Sequence, residues 1–312
     1  MPPGRVGMKK ERPVIWGVGG GKGGVGKTVI TANAAIGLAQ LGKRCVAVDA
    51  DLGGANLHTV LGIPSPDYTL TDFIRKRVNS LNDILAPTLL PNLHLISGSK
   101  ALLEMANPRY SQKEKLIRHI ADLDVDYVLM DLGSGSAFNT LDFFLSADEG
   151  VLVVLPEPTS VENAYHFIKA AFYRKLKRAT KRKGVAEAID KAMEEKIARG
   201  IQSPRTLIKN VLMINPEAGQ ALQKEADEFR PNIIVNQTRR FDDRDLGNDI
   251  AQACSDYFGI RIRYLGHVDE DNTLKEAVRL RRAVMDAFPS SPFAHSIRFL
   301  LRNLLAMRKD QP

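Results

Sequence analysis

The sequence predicts an α/β fold: a mostly parallel β-sheet with helices on both faces. Three observations predict it. Short apolar runs rich in Val, Ile and Leu recur along the chain. Segments of helical spacing lie between most of them. A glycine-rich loop leads out of the first run into the first helix. Buried strands alternating with helices mark a parallel sheet covered on both sides. Ligands of such sheets gather at the carboxyl ends of the strands, where that loop falls.

Taken in order, Val14–Val18 reads as the first strand and Val29–Leu41 as the helix after it. Cys45–Val48 and Leu93–Ile96 are strands, followed by the helix Gln112–Ala121, the strand Tyr127–Met130 and the helix Ala137–Leu145. The strand Val151–Leu155 leads into the helix Val161–Arg174. Ile233–Val235, the helix Asp245–Tyr257 and Ile262–Leu265 end the alternation. The rhythm breaks between Val151–Leu155 and Ile233–Val235, where more than seventy residues carry no clear strand. They read as a helical insertion at about 174–230. Val211–Ile214 stays open to a short strand, because so brief a run has no decisive period. A basic amphipathic helix is expected at 293–309. The organisation expected is a flexible tail over residues 1–11 and one domain over 12–312.

Composition narrows the function class. The 312 residues are 44% hydrophobic and 26% charged, an ordinary balance for a globular chain. No run reaches the length of about 18 apolar residues that a membrane span needs. The first eleven residues are polar and basic and lack the apolar stretch of a secretory signal. Cys45 and Cys254 are the only cysteines and lie far apart, which fits a reduced, cytoplasmic setting. The net charge of +8 favours acidic partners: nucleotide, anionic lipid or nucleic acid.

The loop is "GVGGGKGGVGKT", Gly17 to Thr28. Gly21, Gly23 and Gly26 satisfy the dinucleotide pattern G-x-G-x-x-G, while Gly21, Gly26, Lys27 and Thr28 satisfy the phosphate-loop pattern G-x-x-x-x-G-K-T. The glycines alone do not decide between them. Lys27 and Thr28 do: a dinucleotide loop holds its pyrophosphate with amides, whereas a triphosphate loop needs a lysine for the β- and γ-phosphates and a hydroxyl for Mg²⁺. Gly21, Gly23, Gly24, Val25, Gly26, Lys27, Thr28 and Val29 are therefore the expected phosphate cradle.

Carboxylates that hold Mg²⁺ and orient water belong at strand ends nearby. Asp49 and Asp51 end one strand, with side chains sent to one side by alternation. Asp131 ends another, and Gly133 and Gly135 after it permit an amide to approach a phosphate closely.

At this point the chain resembles a known family. "KGGVGKT" (Lys22–Thr28) looks like the deviant Walker A loop of the ParA/MinD ATPases. "VDADLGGANLHTVLGI" (Val48–Ile63) is similar to the switch segment of that family. "LPEPTSVENAYHFIK" (Leu155–Lys169) and "YLGHVDEDNTLKEAVRLRRAVMDAFPSS" (Tyr264–Ser291) look most like its flagellar-number regulators, called FlhG or FleN. The resemblance runs from about Pro13 to Leu304, the insertion excepted. It implies a P-loop NTPase of the SIMIBI, MinD-like type that binds and hydrolyses ATP with Mg²⁺ as a slow, dimer-dependent switch.

Roles follow by resemblance. Lys27 serves the nucleotide of its own chain, and Lys22 reaches across an ATP-bound homodimer to the partner's phosphates. Thr28 binds Mg²⁺, with Asp49 and Asp131 acting through its waters. Asp51 orients the attacking water, and Asn56, Gly133 and Gly135 belong to the switches. A strand ending in Val-Asn supplies the adenine contact, which favours Asn236 over Asn215 by spacing. Asp269 and Glu270 fall near the same base, and Glu157 is a candidate for the ribose.

The chain departs from the family in three places. Residues 1–11 lack the D-Q-A-x-x-L-R motif with which such regulators stimulate the flagellar GTPase FlhF. The insertion is atypical. "DLGSG" replaces the usual Ser/Thr after Asp131.

Two further segments admit two readings each. "FYRKLKRATKRK" (Phe172–Lys183) reads as a solvated surface helix or as a docking face for DNA, anionic lipid or an acidic partner. "FAHSIRFLLRNLLAMRK" (Phe293–Lys309) puts Ile297, Leu300, Leu301 and Leu304 on one face, which either closes the core or lies on the inner face of the cell membrane. His58, His94, His166 and His267 lack ligand spacing, so no metal beyond Mg²⁺ is expected. The alternatives to a flagellar regulator are a partition or division-site ATPase, or an iron–sulfur carrier or reductase on the same scaffold. The last would need paired cysteines.

Overall fold

A computed structural model describes residues 12–51, 54–98, 110–179 and 203–309. The tail at 1–11, the middle of the insertion and the basic run Lys181–Lys183 lie outside the described residues.

The strands are β1 (Val14–Gly19), β2 (Cys45–Asp49), β3 (Ala86–Pro87), β4 (Leu93–Ile96), β5 (Tyr127–Asp131), β6 (Glu149–Val154), β7 (Asn232–Thr238) and β8 (Arg263–Asp269). They form one eight-stranded sheet in the order β3-β4-β2-β5-β1-β6-β7-β8. Every neighbouring pair is parallel except β3 with β4. β3 is a two-residue edge strand containing Pro87, and its pattern is too short to be seen in the sequence.

Two apolar layers sandwich the sheet. On one face α1 (Lys27–Gln40) and the last helix, α12 (Pro292–Lys309), pack Leu38, Phe293 and Leu301 against the strands. On the other face lie α4 (Tyr110–Ala121), α5 (Phe138–Ser146), α6 (Pro158–Ala179), α7 (Pro204–Ile214), α8 (Pro216–Glu228) and α9 (Leu246–Phe258), with Phe143, Phe167, Phe172 and Phe258 in the core. The short helices α2 (Leu57–Val60), α3 (Leu70–Ile74), α10 (Asn272–Arg279) and α11 (Val284–Ala287) complete the described set.

Val211–Ile214 is helical, not a strand. The run closes α7, whose inward positions Leu207, Ile208 and Val211 are buried at helical spacing. Asn215 then caps α8, its Oδ1 accepting from the Ala218 amide at 3.1 Å.

The last helix is core. Ile297, Leu300, Leu301 and Leu304 are 1–5% exposed. Gly37 of α1 lets α12 come so close that a Cβ there would sit 2.4 Å from Leu301 Cδ1. The apolar face that a membrane contact would need is spent on the sheet and α1. Among the described residues no helix is long and apolar enough to cross a membrane.

The basic stretch that begins at Phe172 is also partly internal. Phe172 and Leu176 are buried. Lys175 pairs with Glu225 at 3.4 Å and Glu228 at 3.8 Å on α8. Arg174 pairs with Asp142 of α5, Nε to Oδ1 at 2.7 Å, and Lys113 of α4 meets the same carboxylate at 2.6 Å. An ionic triad thus ties three helices together.

Candidate functional site

β1 ends at Gly19 and α1 begins at Lys27, so the glycine loop lies at the carboxyl edge of the central strand. Gly24 and Gly26 are left-handed, with φ of +81° and +95°, a conformation costly for other residues. Two other contacts fix the loop. A Cβ on Gly21 would lie 2.2 Å from the Asn163 carbonyl of α6, and one on Gly26 would lie 2.3 Å from Asn236 Nδ2 of β7. Asn236 donates from Nδ2 to the Val25 carbonyl at 2.8 Å, and Val25 itself is buried. Gly24 has open space around it. Val29 stands in the first turn of α1, where its carbonyl accepts from Asn33 Nδ2 at 2.8 Å.

The carboxylates meet beneath this loop. Asp49 and Asp131 are register partners on β2 and β5, and both are buried. Asp49 Oδ1 accepts from the Asp51 amide at 3.2 Å and Oδ2 from the Leu57 amide at 3.0 Å. Thr28 hydrogen-bonds Asp131, whose Oδ1 is buried without a partner. Burial, aided by nearby carboxylates, pushes Asp49 up to about 6 and Asp131 up to about 7. Burial also lowers the Lys27 ammonium, against the pull of Asp131 and Asp51.

This donor set fits Mg²⁺. Two buried carboxylates lie side by side, one oxygen is orphaned, and a hydroxyl sits at the head of the phosphate loop. A hard cation prefers such oxygens, and in phosphate sites it keeps several waters. Thr28 would ligate it, with Asp49 and Asp131 behind its waters. Among the described residues no group of three or more His, Cys, Asp or Glu side chains forms a metal cage, so phosphate and water would complete the shell.

The remaining expected residues surround the loop. Asp51 lies between two glycines: Cβ atoms on Gly133 and Gly54 would stand 3.4 and 3.5 Å from its carboxylate oxygens. Asn56 donates to the Gly54 carbonyl at 2.8 Å and heads α2. The Gly135 amide donates to the Gly20 carbonyl at 3.0 Å, latching the loop after β5 onto the phosphate loop. Lys22 is half-exposed, 4.0 Å from the Glu157 carboxylate. Asp269 is engaged by Thr238 Oγ1 at 2.6 Å and by Arg244, and Glu270 by Arg239. Sequence reasoning missed the Leu57 amide and the Gly20 carbonyl. Both are backbone groups, which no side-chain pattern records.

A family model described as "ParA: NUBPL iron-transfer P-loop NTPase" matches residues 12–189, more than half of the chain. The chain belongs to the ParA/MinD family of P-loop NTPases. Among this NTPase's curated relatives, the antiactivator FleN of Pseudomonas aeruginosa is 27% identical over 288 residues, 91% of this chain and 84% of that protein. The septum site-determining protein MinD of Helicobacter pylori is 34% identical over 145 residues, 46% of this chain and 53% of that one. Among solved structures, MinD of Pyrococcus horikoshii complexed with Mg-ADP superposes with a TM-score of 0.65 at 22% identity, covering 96% of this chain and all of that one. The last comparison bears on the fold.

The iron-transfer wording of the family model finds no thiol pair here. Cys45 and Cys254 are both buried, in the two apolar layers on opposite faces of the sheet. Burial pushes their thiols up to about 12 and about 11.

Proposed function

We propose that this NTPase is an ATP-driven dimerisation switch that sets flagellar number or placement. The observation that carries the flagellar part is the relation to FleN over 91% of this chain and 84% of that protein. Division-site placement is the competing reading, supported by the higher identity to MinD over about half the chain.

In the proposed cycle the amides of Gly21 to Thr28 take the phosphates, and Lys27 neutralises the β- and γ-oxygens. Mg²⁺ would supply positive charge against the charge developing on the phosphates. Thr28, Asp49 and Asp131 hold the position of its shell. Asp51 orients the attacking water from its place between Gly54 and Gly133. Lys22 leaves Glu157 and supplies a cation to the partner's phosphates, the logic of an arginine finger. Asn236 contributes to the adenine site while holding Val25, and the salt-bridged Asp269 forms part of its wall.

Two measurements test this. Light scattering with Mg-ATP should give dimers for wild type, monomers for Lys22→Ala and stalled dimers for Asp51→Ala. Turnover of Lys22→Ala should fall by about 10²–10³, as for loss of one transition-state donor. A Lys22→Ala dimer as stable as wild type refutes the role in trans. For the flagellar role, the gene should restore flagellar counts to a strain lacking FleN. Rescue of a MinD-deficient strain instead would favour division-site placement.

A further inference from the structure

The turn between α10 and α11 presents a surface that the nucleotide cycle does not use. Val278 and Leu280 are 52% and 53% exposed. They alternate with Arg279 and Arg281, and Lys275 lies one turn back. Residues 275–282 hold four basic side chains against one acid, Glu276. Arg282 is occupied by Asp286 at 2.8 Å. Among the described residues the Arg279 and Arg281 side chains make no hydrogen bond or ion pair. Buried Ala277, Ala283, Val284 and Met285 anchor both ends of the turn.

The backbone is held in a costly shape. Arg281 has φ of +52°, outside the comfort of a side chain with a Cβ. Gly62 packs against it so closely that a Cβ there would lie 2.4 Å from the Arg281 carbonyl oxygen. Strain of this kind persists where the surroundings over-determine it, and it clusters at functional places.

We propose that Val278–Arg281 is a docking knuckle for an acidic amphipathic helix of a partner protein, one that sets a leucine-type side chain between carboxylates. Two guanidinium forks flanking an aliphatic side chain match that chemistry, since the planar fork takes a carboxylate bidentately. A nucleic acid backbone offers nothing apolar for Val278 and Leu280. A bilayer calls for a broader apolar face than two side chains. The fixed backbone lowers the ordering cost of binding.

The knuckle also has a physical line to the nucleotide site. Asp49 Oδ2 accepts from the Leu57 amide, the first of α2. α2 ends at Val60, two residues before Gly62 touches Arg281. The Asp49 carboxylate and the knuckle are therefore joined through one short helix.

The test uses the full chain and a fluorescent synthetic helix of repeating Leu and Glu as probe. Wild type should bind it, with an affinity that differs between the nucleotide-free and Mg-ATP states. The double variant Arg279→Glu/Arg281→Glu should lose about tenfold or more. Leu280→Ser should lose several-fold. Both should bind nucleotide as wild type does. Equal probe binding by wild type and the double variant would overturn the proposal. So would failure of wild type to bind the probe, or arginine-dependent binding to phosphatidylglycerol vesicles or a DNA duplex in its place. Identical affinity in both nucleotide states would overturn the link through α2.

Discussion

Two buried carboxylate clusters, one at Asp142 and one at Asp49 and Asp131, are built on opposite plans. At Asp142 one carboxylate is matched by two cations, Lys113 and Arg174. Burial acts to raise its carboxyl, but the hydrogen bonds from Arg174 and Lys113 win and hold it below the usual carboxylate range. At Asp49 and Asp131 two carboxylates are buried side by side, the Lys27 ammonium acts on Asp131, and both are raised. The first cluster is complete within the chain. The second leaves a cation wanting, as a place built to receive one does. A saturated buried charge fastens helices. An unsaturated one holds binding capacity in reserve.

The largest way to break this contrast is Asp142→Ala. It removes the carboxylate that Lys113 and Arg174 share and should cost about 3–5 kcal/mol in urea unfolding, the usual penalty for breaking a buried ion pair. A loss under about 1 kcal/mol would mean the triad is solvated and the contrast false.

Asp131→Asn should behave in the opposite way. It relieves a buried acid with one unpartnered oxygen, so the nucleotide-free protein should keep or gain stability. The stabilisation by Mg-nucleotide, about 2.7 kcal/mol at one hundred times Kd, should shrink sharply. Thermal melts with and without Mg-nucleotide check both halves. Strong destabilisation of the nucleotide-free variant would place Asp131 with Asp142.

Acid titration sharpens the comparison further. Asp49 and Asp131 have folded values above the unfolded value of about 3.9, so the native state holds more protons between about pH 4 and 7. Without nucleotide or Mg²⁺, their contribution should make stability fall as pH rises through that window, and Asp131→Asn should flatten the fall. Asp142 has a folded value below its unfolded one. Its contribution is present above about pH 4 and should be lost only as pH drops through the lowered value. The paired wild-type and Asp131→Asn profiles should therefore differ above pH 4 and run together below it.

The smallest effect is expected at Glu157. Its pairing with Lys22 is half-exposed at 4.0 Å, so Glu157→Gln should change stability by less than about 0.5 kcal/mol. A loss beyond about 1.5 kcal/mol would class this pair with the buried ones.

The two clusters were unequally legible in the sequence. Asp49, Asp131 and the phosphate loop stand out because each ends an apolar run and the loop has fixed spacing. Nothing local marks Asp142, whose partners lie 29 and 32 residues away on separate helices. The Asn236 contact to Val25 spans 211 positions. The basic amphipathic pattern of α12 was equally ambiguous, since a helix facing the core and one facing lipid show the same stripe. Only the close approach of α1 at Gly37 separates the two. Short elements such as β3 and α2 have too few residues for any period.

Gly21 pressed on α6 and Gly26 pressed on Asn236 mean that the phosphate loop is held in shape by the packing of the fold itself. The conformational entropy of ordering it is lost once, during folding, and not again at each turnover. Affinity and foldedness therefore share a cause. A side chain on α6 or β7 that never comes near a phosphate can weaken binding simply by letting the loop explore other shapes. Surveys of loss-of-function variants in this chain should find such positions behind the loop as often as on it.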